Sequence, residues 1–411
     1  MNEVSRIRTD AVIIGGGVGG LWSAWELARL GLTVCIAEQA PYLGGHVANL
    51  SCRATDRCQR CGICLLEDVL DKVKSVDGIT PMVRATTDRV DRTDRGFESL
   101  ITRRPARIDR LRCDNCGKCL EVCPAPGALT RVPKKLEPEL NEAACLHFTD
   151  GSCRACVDVC PQHAIDLDAE SEELLVEAPV IISAGGFQTF DPGKKGRFGY
   201  GRIAGVVTAR EIDSVLRRGD FQMGEDGDDA YSVAFVQCVG SRDVRIGRNY
   251  CSRVCCGYAL RMARYLTYRF PGIHATIFYM DIQTFERHFP SRLDEIKKVV
   301  RFVRAMPAEI RSNADGRPEV VYQGPDDSRN TEVFDLVVLS VGLSRYPSIG
   351  PLSRLARVGA EADEEAFLVH DGEATLQIAD GIFAVGSGSI DETVSQAIRT
   401  AGEVRRYLKH L

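Results

Sequence analysis

Residues 10–38 read DAVIIGGGVGGLWSAWELARLGLTVCIAE, and this stretch decides the fold. DAVIIGG (10–16) is a short apolar run of the kind that a parallel sheet buries on both faces. Gly15, Gly17 and Gly20 then complete G-x-G-x-x-G, a helical pattern follows, and a second strand, LTVCIAE, ends at Glu38. In this pattern the first glycine permits a tight turn, the second lets a pyrophosphate approach the backbone, and the third lets helix and strand pack closely. Free N–H groups at the helix start attract phosphate, and Glu38 is spaced to bond ribose hydroxyls. Alone, the glycine pattern is a weak signal. Set between strand and helix, with the acid at this distance, it predicts a dinucleotide site.

Working outward, QAPYLGGH (39–46), with Gly44 and Gly45, resembles the second glycine pair of FAD-dependent flavoproteins built from two dinucleotide-binding domains. That resemblance implies FAD rather than NAD. EAPVIISAGG (177–186), with Gly185 near its end, and FDLVVLSVGL (334–343) look like the strand-to-small-residue crossovers of those proteins. DGIFAVGSGSIDETVSQAIRTAGEVRRYL (380–408) resembles their last flavin-contacting strand and helix, with Gly386 at the turn. Those proteins carry an acid after this glycine to hold the ribitol. Here the run is Gly386, Ser387, Gly388, so backbone groups are expected to take that role.

The chain has 17 cysteines, and all but Cys35 fall into three tight groups. Cys35 lies inside a strand and reads as inert packing. The middle group opens with CDNCGKCLEVCP (113–124), which places Cys113, Cys116, Cys119 and Cys123 in C-x2-C-x2-C-x3-C-P. Cys145, Cys153, Cys156, Cys160 and Pro161 repeat it with a lengthened first gap. In two-cluster ferredoxins the fourth cysteine of each motif ligates the other cluster. Carried over, Cys113, Cys116, Cys119 and Cys160 hold one [4Fe–4S] cluster, and Cys145, Cys153, Cys156 and Cys123 hold the second. A pair of zinc knuckles is the alternative; the repeated C-P endings and the lack of interleaved ligand histidines oppose it. VRATTDRV and FESLITRRP before the insert read as strands of a β-meander, and APVIISAGG resumes the flavin domain after it.

A second nucleotide-like unit begins near residue 230, with strand YSVAFVQ, helix GYALRMARYLTYRF and strand HATIFYMD. Its first turn, where NAD(P)H-dependent flavoproteins carry another glycine motif, reads CVGSRDVRIGRNYCSRVCCG (238–257). The phosphate cradle is gone. Cys238, Cys251, Cys255 and Cys256 stand there instead, as C-x12-C-x3-C-C. Four cysteines at one helix start favour a cluster, while a redox-active disulfide or an inert core pair stays open from spacing alone.

QCVGSRD, YCSRVCC, FYMDI and FDPGKKGRFGYGR resemble the A-subunit family of heterodisulfide reductase, the HdrA-like iron–sulfur flavoproteins. The resemblance covers nearly the whole chain. It implies an unusual [4Fe–4S] cluster on Cys238, Cys251, Cys255 and Cys256 close to the flavin, and a ferredoxin insert in the flavin domain. The chain starts at the flavin strand and stops at Leu411, so it reads as a short form without the N-terminal and C-terminal cluster modules of the large methanogen members. Five residues after the vicinal cysteines, bifurcating members have a lysine that reaches flavin N5; here the residue is Arg261. Arginine stays charged and releases no proton, which weighs against bifurcation.

Cys52, Cys58, Cys61 and Cys64 form C-x5-C-x2-C-x2-C just before the helical pattern LLEDVLDKV. Four cysteines this close suggest another [4Fe–4S] cluster, with zinc or a cluster shared with a partner as alternatives. His46, His147 and His163 lie near these motifs and read as packing.

The expected architecture is α/β: a two-dinucleotide-binding-domain flavoprotein, thioredoxin-reductase-like, with an inserted 2[4Fe-4S] ferredoxin domain. The expected order is FAD domain (1–106), ferredoxin (107–168), FAD domain continued (169–225), second Rossmann-like domain (226–331) and a closing FAD-domain segment (332–411). A formal charge of −5 without a Lys/Arg block gives no reason to expect nucleic acid. No apolar run reaches bilayer length and no signal-peptide core opens the chain, so the reading is cytoplasmic, touching a membrane only through a partner. Grouped thiols in a reducing compartment point to metal rather than disulfides. The expected function is an oxidoreductase subunit passing electrons between FAD and [4Fe–4S] clusters. The resemblance implies HdrB/HdrC-like or other redox subunits as partners, with a homodimer inside a larger complex. Two rivals are a self-contained NAD(P)H-dependent flavin oxidoreductase with a ferredoxin outlet, and a flavin-free scaffold with structural clusters.

Overall fold

The computed structural model describes residues 4–131, 138–223, 230–283, 289–345, 377–386 and 388–411. Ser387, expected in the last flavin turn, lies outside them.

The strand Ala11–Ile14 lies inside a six-stranded sheet, between Val34–Glu38 and Val180–Ser183. Ile79–Val83 extends the sheet on one side, and Ile382–Ala384 with Gln377–Ala379 on the other; every pairing is parallel except the last. The unbroken apolar runs are explained by double burial. The helices Val18–Arg29 and Ile390–Leu408 cover one face through Leu21, Leu27, Ala397 and Val404. A four-stranded sheet of Ser5–Arg8, Glu172–Ala178, Gly96–Arg103 and Ala85–Thr93 covers the other, with Val12, Ile14, Ile101 and Val176 between. The meander expected from VRATTDRV and FESLITRRP is the antiparallel pair Ala85–Thr93 and Gly96–Arg103.

The insert leaves this sheet after Arg103 and returns at Glu172, so its two ends leave from adjacent strands. An antiparallel bridge between Ile108 and Ile165 closes its base. Arg107 is buried there, donating to Leu167 O (3.0 Å) and Glu142 Oε1 (2.7 Å). Arg84 grips Glu139 through two bonds of 2.9 and 2.6 Å, tying the insert to the meander. A small core of Ile108, Ala128, Leu140 and Leu167 includes Cys119, Cys145 and Cys156.

The second unit is a five-stranded parallel sheet in the order Val206–Thr208, Leu336–Val341, Tyr231–Val239, Ile273–Phe278, Arg301–Val303. It is wider than the expected 226–331. The expected boundaries assign Val206–Thr208 and Leu336–Val341 to the flavin domain, through 169–225 and 332–411. Both belong here instead, because Val337 pairs with Val206 and also with Ala234. The helix Cys255–Arg269 packs on the sheet through Ala259, Leu260, Ala263 and Leu266. None of the described helices is long and apolar enough to cross a membrane.

Candidate functional site

The glycine loop has the shape its sequence requires. A Cβ on Gly20 would stand 1.9 Å from Gly15 O, so helix and strand meet only without one. A Cβ on Gly17 would meet nothing within 4 Å, which leaves the space in front of the loop open. Gly44 donates its N–H to Gly16 O at 2.7 Å and bridges Gly17, so the second glycine pair braces the first. Glu38 is buried, and its carboxylate accepts from the N–H groups of Gly16 (2.6 Å) and Ala40 (2.7 Å). Burial pushes this carboxyl up, and the two backbone bonds oppose the shift. Glu38 therefore fixes the loop while it lines the cavity in front.

That cavity has a volume of about 1320 Å³. Gly15, Gly17, Glu38, Gly44, Gly45, Gly185 and Gly386 all line it, as the sequence reading expects of a dinucleotide site. It runs on without a break to Cys61 of the first unit and to Val254, Cys255 and Arg261 of the second. The N-terminus of the last helix closes another side. There Ser389 and Glu392 form a capping box, and Arg253 donates to Glu392 Oε1 at 3.1 Å.

The second four-cysteine group sits where the second unit's strand turns into its helix. Cys238, one residue before the strand ends, takes a left-handed φ of 58°, and Cys255 and Cys256 open the helix's first turn. Burial pushes the Cys255 thiol well up, and the neighbouring thiols of Cys256, Cys238 and Cys251 add to the effect. Burial likewise raises Cys256 to about 11 and raises Cys238. The four thiols are thus close enough to feel one another. Arg242 lies beside Cys238 and pairs with Asp281, its Nη2 being 3.1 Å from Oδ2. The backbone N–H of Gln283 reaches Cys256. Asp243, in the same turn, meets buried Lys195 at 2.8 Å, and this bond holds its carboxyl down at about 2. The stretches QCVGSRD, FYMDI and FDPGKK therefore meet around one group of thiols.

In the insert, Cys113, Cys116, Cys119 and Cys160 line one small cavity with Ile108 and Ala164. Cys156 is raised to about 11, by burial first and then by Cys145 and Cys153. Cys123 is half-buried and its Sγ lies 3.6 Å from Ala125 O. Cys35 is buried and pushed up to about 12, an inert strand thiol. Of the first group, Cys61 lines the large cavity, whereas Cys52, Cys58 and Cys64 are exposed. Among the described residues no group of three His, Cys, Asp or Glu side chains is gathered for a single metal ion. Cubane thiolates surround four irons and stand farther apart than the ligands of one tetrahedral ion. Sets of thiols with hydrogen-bond donors around them suit such clusters chemically.

Three further contacts hold the site together. Arg53, 1% exposed, forms a buried ion pair with Asp213 of the helix Ala209–Arg218 and donates to Ser51 Oγ at 2.8 Å. Its guanidinium also lies over the ring of Tyr258, from the cysteine-capped helix. Arg261, expected beside the flavin, lines the cavity and donates Nε to Gln59 O at 3.2 Å; Arg292 donates to the same oxygen at 2.6 Å. Three arginines thus lock the Cys52–Cys64 loop to the second unit. Finally, His46 stacks on Phe187 (4.4 Å) and bonds its carbonyl, with burial lowering its pKa.

Residues 112–164 match the 4Fe-4S dicluster domain family, and residues 13–62 the NAD(P)-binding Rossmann-like domain family. Over 97% of its length the chain is 30% identical to the A subunit of the H(2):CoB-CoM heterodisulfide,ferredoxin reductase of Methanothermobacter marburgensis, of which it covers 63%. It is 28% identical to the A subunit of the ferredoxin:CoB-CoM heterodisulfide reductase of Methanosarcina mazei, over 98% of this chain and 54% of that one. The chain therefore spans roughly three-fifths or less of these relatives' length. Among solved structures, thioredoxin reductase of Lactococcus lactis superposes with a TM-score of 0.56 at 16% identity, covering 98% of this chain and all of that one. The fold is thioredoxin-reductase-like, with a 4Fe-4S dicluster domain inserted.

Proposed function

We propose that this chain, which is a homologue of the heterodisulfide reductase A subunits over nearly its whole length, is an electron-transfer oxidoreductase subunit. Electrons pass between FAD in the large cavity and [4Fe–4S] clusters on the cysteine groups, and from there to partner subunits. The observation that carries this reading is the cavity itself. One space is lined by the dinucleotide glycine loop, by Cys61 and by Cys255. A flavin held there would share its cavity with one cysteine of each flanking group, Cys61 and Cys255.

FAD, when bound, exchanges electron pairs for single electrons, and each cluster carries single electrons. The chain's residues supply the rest. Gly15 makes the turn, Gly17 would leave room for the pyrophosphate and Gly20 lets helix and strand pack, while Gly44, Gly45, Gly185 and Gly386 line the remainder of the cofactor space. Cys113, Cys116, Cys119 and Cys160 would hold one ferredoxin cluster, and Cys145, Cys153, Cys156 and Cys123 the other. Cys238, Cys251, Cys255 and Cys256 would hold a third, with Arg242 beside Cys238 offsetting its negative charge. Cys52, Cys58, Cys61 and Cys64 would hold a fourth, whose exposed thiols suit exchange with a partner. Arg261, fixed to Gln59, keeps a permanent charge at the cavity wall, which disfavours pair-splitting bifurcation.

The partners are HdrB/HdrC-like or other redox subunits, the assembly contains a homodimer, and the compartment is the cytoplasm, whose reduced thiols suit this cysteine content. Anaerobic purification with quantification of iron, zinc and flavin tests the reading. About 16 irons, at four per cluster, with one FAD per chain are expected. A colourless zinc protein refutes it.

A further inference from the structure

Gln237 precedes Cys238, and its side chain is wholly buried, yet neither its amide nitrogen nor its oxygen has a hydrogen-bond partner among the described residues. The same holds for the hydroxyl of Ser340, 2% exposed. The two are neighbours. Strand Tyr231–Val239 pairs with Leu336–Val341 in parallel, Val236 opposite Leu339, and Gln237 and Ser340 are the next residues of each strand.

Their face follows from alternation. Val233 and Phe235 pack with Leu336 and Val338 under the helix Cys255–Arg269, while Ala234, Val236, Val337 and Leu339 pack on the opposite side. Gln237 and Ser340 share the parity of the first set, so both lie beneath the helix that begins with Cys255 and Cys256. The register shifts between Val236 and Val239, where Cys238 takes its left-handed turn and Val239 passes to the opposite face. Ser340 also lines the cavity alongside Val254 and Cys255.

A buried polar group without a partner is costly, so the Gln237 amide nitrogen and the Ser340 hydroxyl, both donors, call for an acceptor. We infer that Gln237 and Ser340 are hydrogen-bond donors to the sulfur atoms of the cluster held by Cys238, Cys251, Cys255 and Cys256, and that they raise its reduction potential. The inference rests on the reading of those four cysteines as a cluster site. Its physical basis is simple. A donor's positive end stabilises the more negative, reduced cluster, so hydrogen bonds to sulfur raise the potential. Neither residue touches electrons itself; both tune the thiolate-bound group beside the flavin cavity.

The test is a potentiometric titration of the full-length holoprotein followed by electron paramagnetic resonance. The signal component lost in Cys255→Ser identifies the cluster. Gln237→Leu, which keeps most of the volume and removes the donor, should shift that component to lower potential and leave the ferredoxin components unmoved. Ser340→Ala, a milder change that also serves if Gln237→Leu fails to fold, should shift it in the same direction. Pulsed spectra in D2O should lose an exchangeable deuteron coupling in each variant. Full iron content with unchanged midpoint and couplings in both variants overturns the inference alone, and means that the two groups bind an ordered water. Cys255→Ser without loss of iron or signal overturns the cluster reading and the inference with it.

Discussion

Cys61 and Cys255 line the same cavity, one from each dinucleotide-binding unit, together with the glycine loop. Cys61 is held there indirectly. Arg261 and Arg292 of the second unit both donate to Gln59 O, two residues before it, and Arg53 anchors the start of the loop on Asp213. A cavity shared in this way makes the cofactor space a junction between two cysteine groups rather than a pocket with one open end.

The glycine loop separates cofactor binding from folding. Gly17→Ala adds a Cβ that meets nothing within 4 Å, so stability of the flavin-free chain should change by no more than about 1 kcal/mol, the cost of a poorer helix cap. Bound FAD should nevertheless fall at least about tenfold, because the pyrophosphate needs that approach. Gly20→Ala forces a Cβ against Gly15 O and should cost about 1–3 kcal/mol. Flavin absorbance and thermal unfolding, measured on both variants, check the contrast.

The Arg53–Asp213 pair should behave as a buried ion pair whose halves depend on each other. Burial pushes the Asp213 carboxyl up while Arg53 holds it down, and Asp213 Oδ2 has no further partner among the described residues. Arg53→Met should cost about 3–5 kcal/mol, and the double variant Arg53→Met with Asp213→Leu should recover much of it. Chemical denaturation of the three proteins measures this. Equal losses in single and double variants would show that the pair does not act as a unit.

Each cysteine group should account for its own metal. Cys61→Ser and Cys255→Ser should each remove about four irons per chain and leave the ferredoxin signals intact. Loss of one zinc in place of four irons from Cys61→Ser would assign the first group to a structural ion. Metal analysis beside the electron paramagnetic resonance spectrum reads both outcomes.

Much of this site is legible in the sequence, because its signals are local. The glycine loop needs only strand, turn and helix in order, and the insert's paired C-P motifs need only spacing. What escapes depends on pairing between distant segments. Leu336–Val341 is an apolar run that either sheet could accept, and only its register with Val206–Thr208 and Tyr231–Val239 assigns it to the second unit. Arg53 stands in a cysteine-rich loop and belongs to no motif. Its burial depends on Asp213 and Tyr258, far away in the chain. Glu38 reads as a ribose ligand alone; its two bonds to loop N–H groups come from the turn's tertiary geometry. Gln237 stands in the sequence only as part of QCVGSRD; its buried place beside the strand of Ser340 comes from the pairing of distant segments.

As proposed, the flavin relays electrons between clusters and protein partners, with no port for a soluble nucleotide. Anaerobic stopped-flow mixing of the purified chain tests it, once with NADH or NADPH and once with a reduced one-electron carrier protein. Flavin absorbance should bleach rapidly with the carrier and stay unchanged with either nucleotide. Rapid, saturable bleaching by NADH or NADPH alone would contradict it.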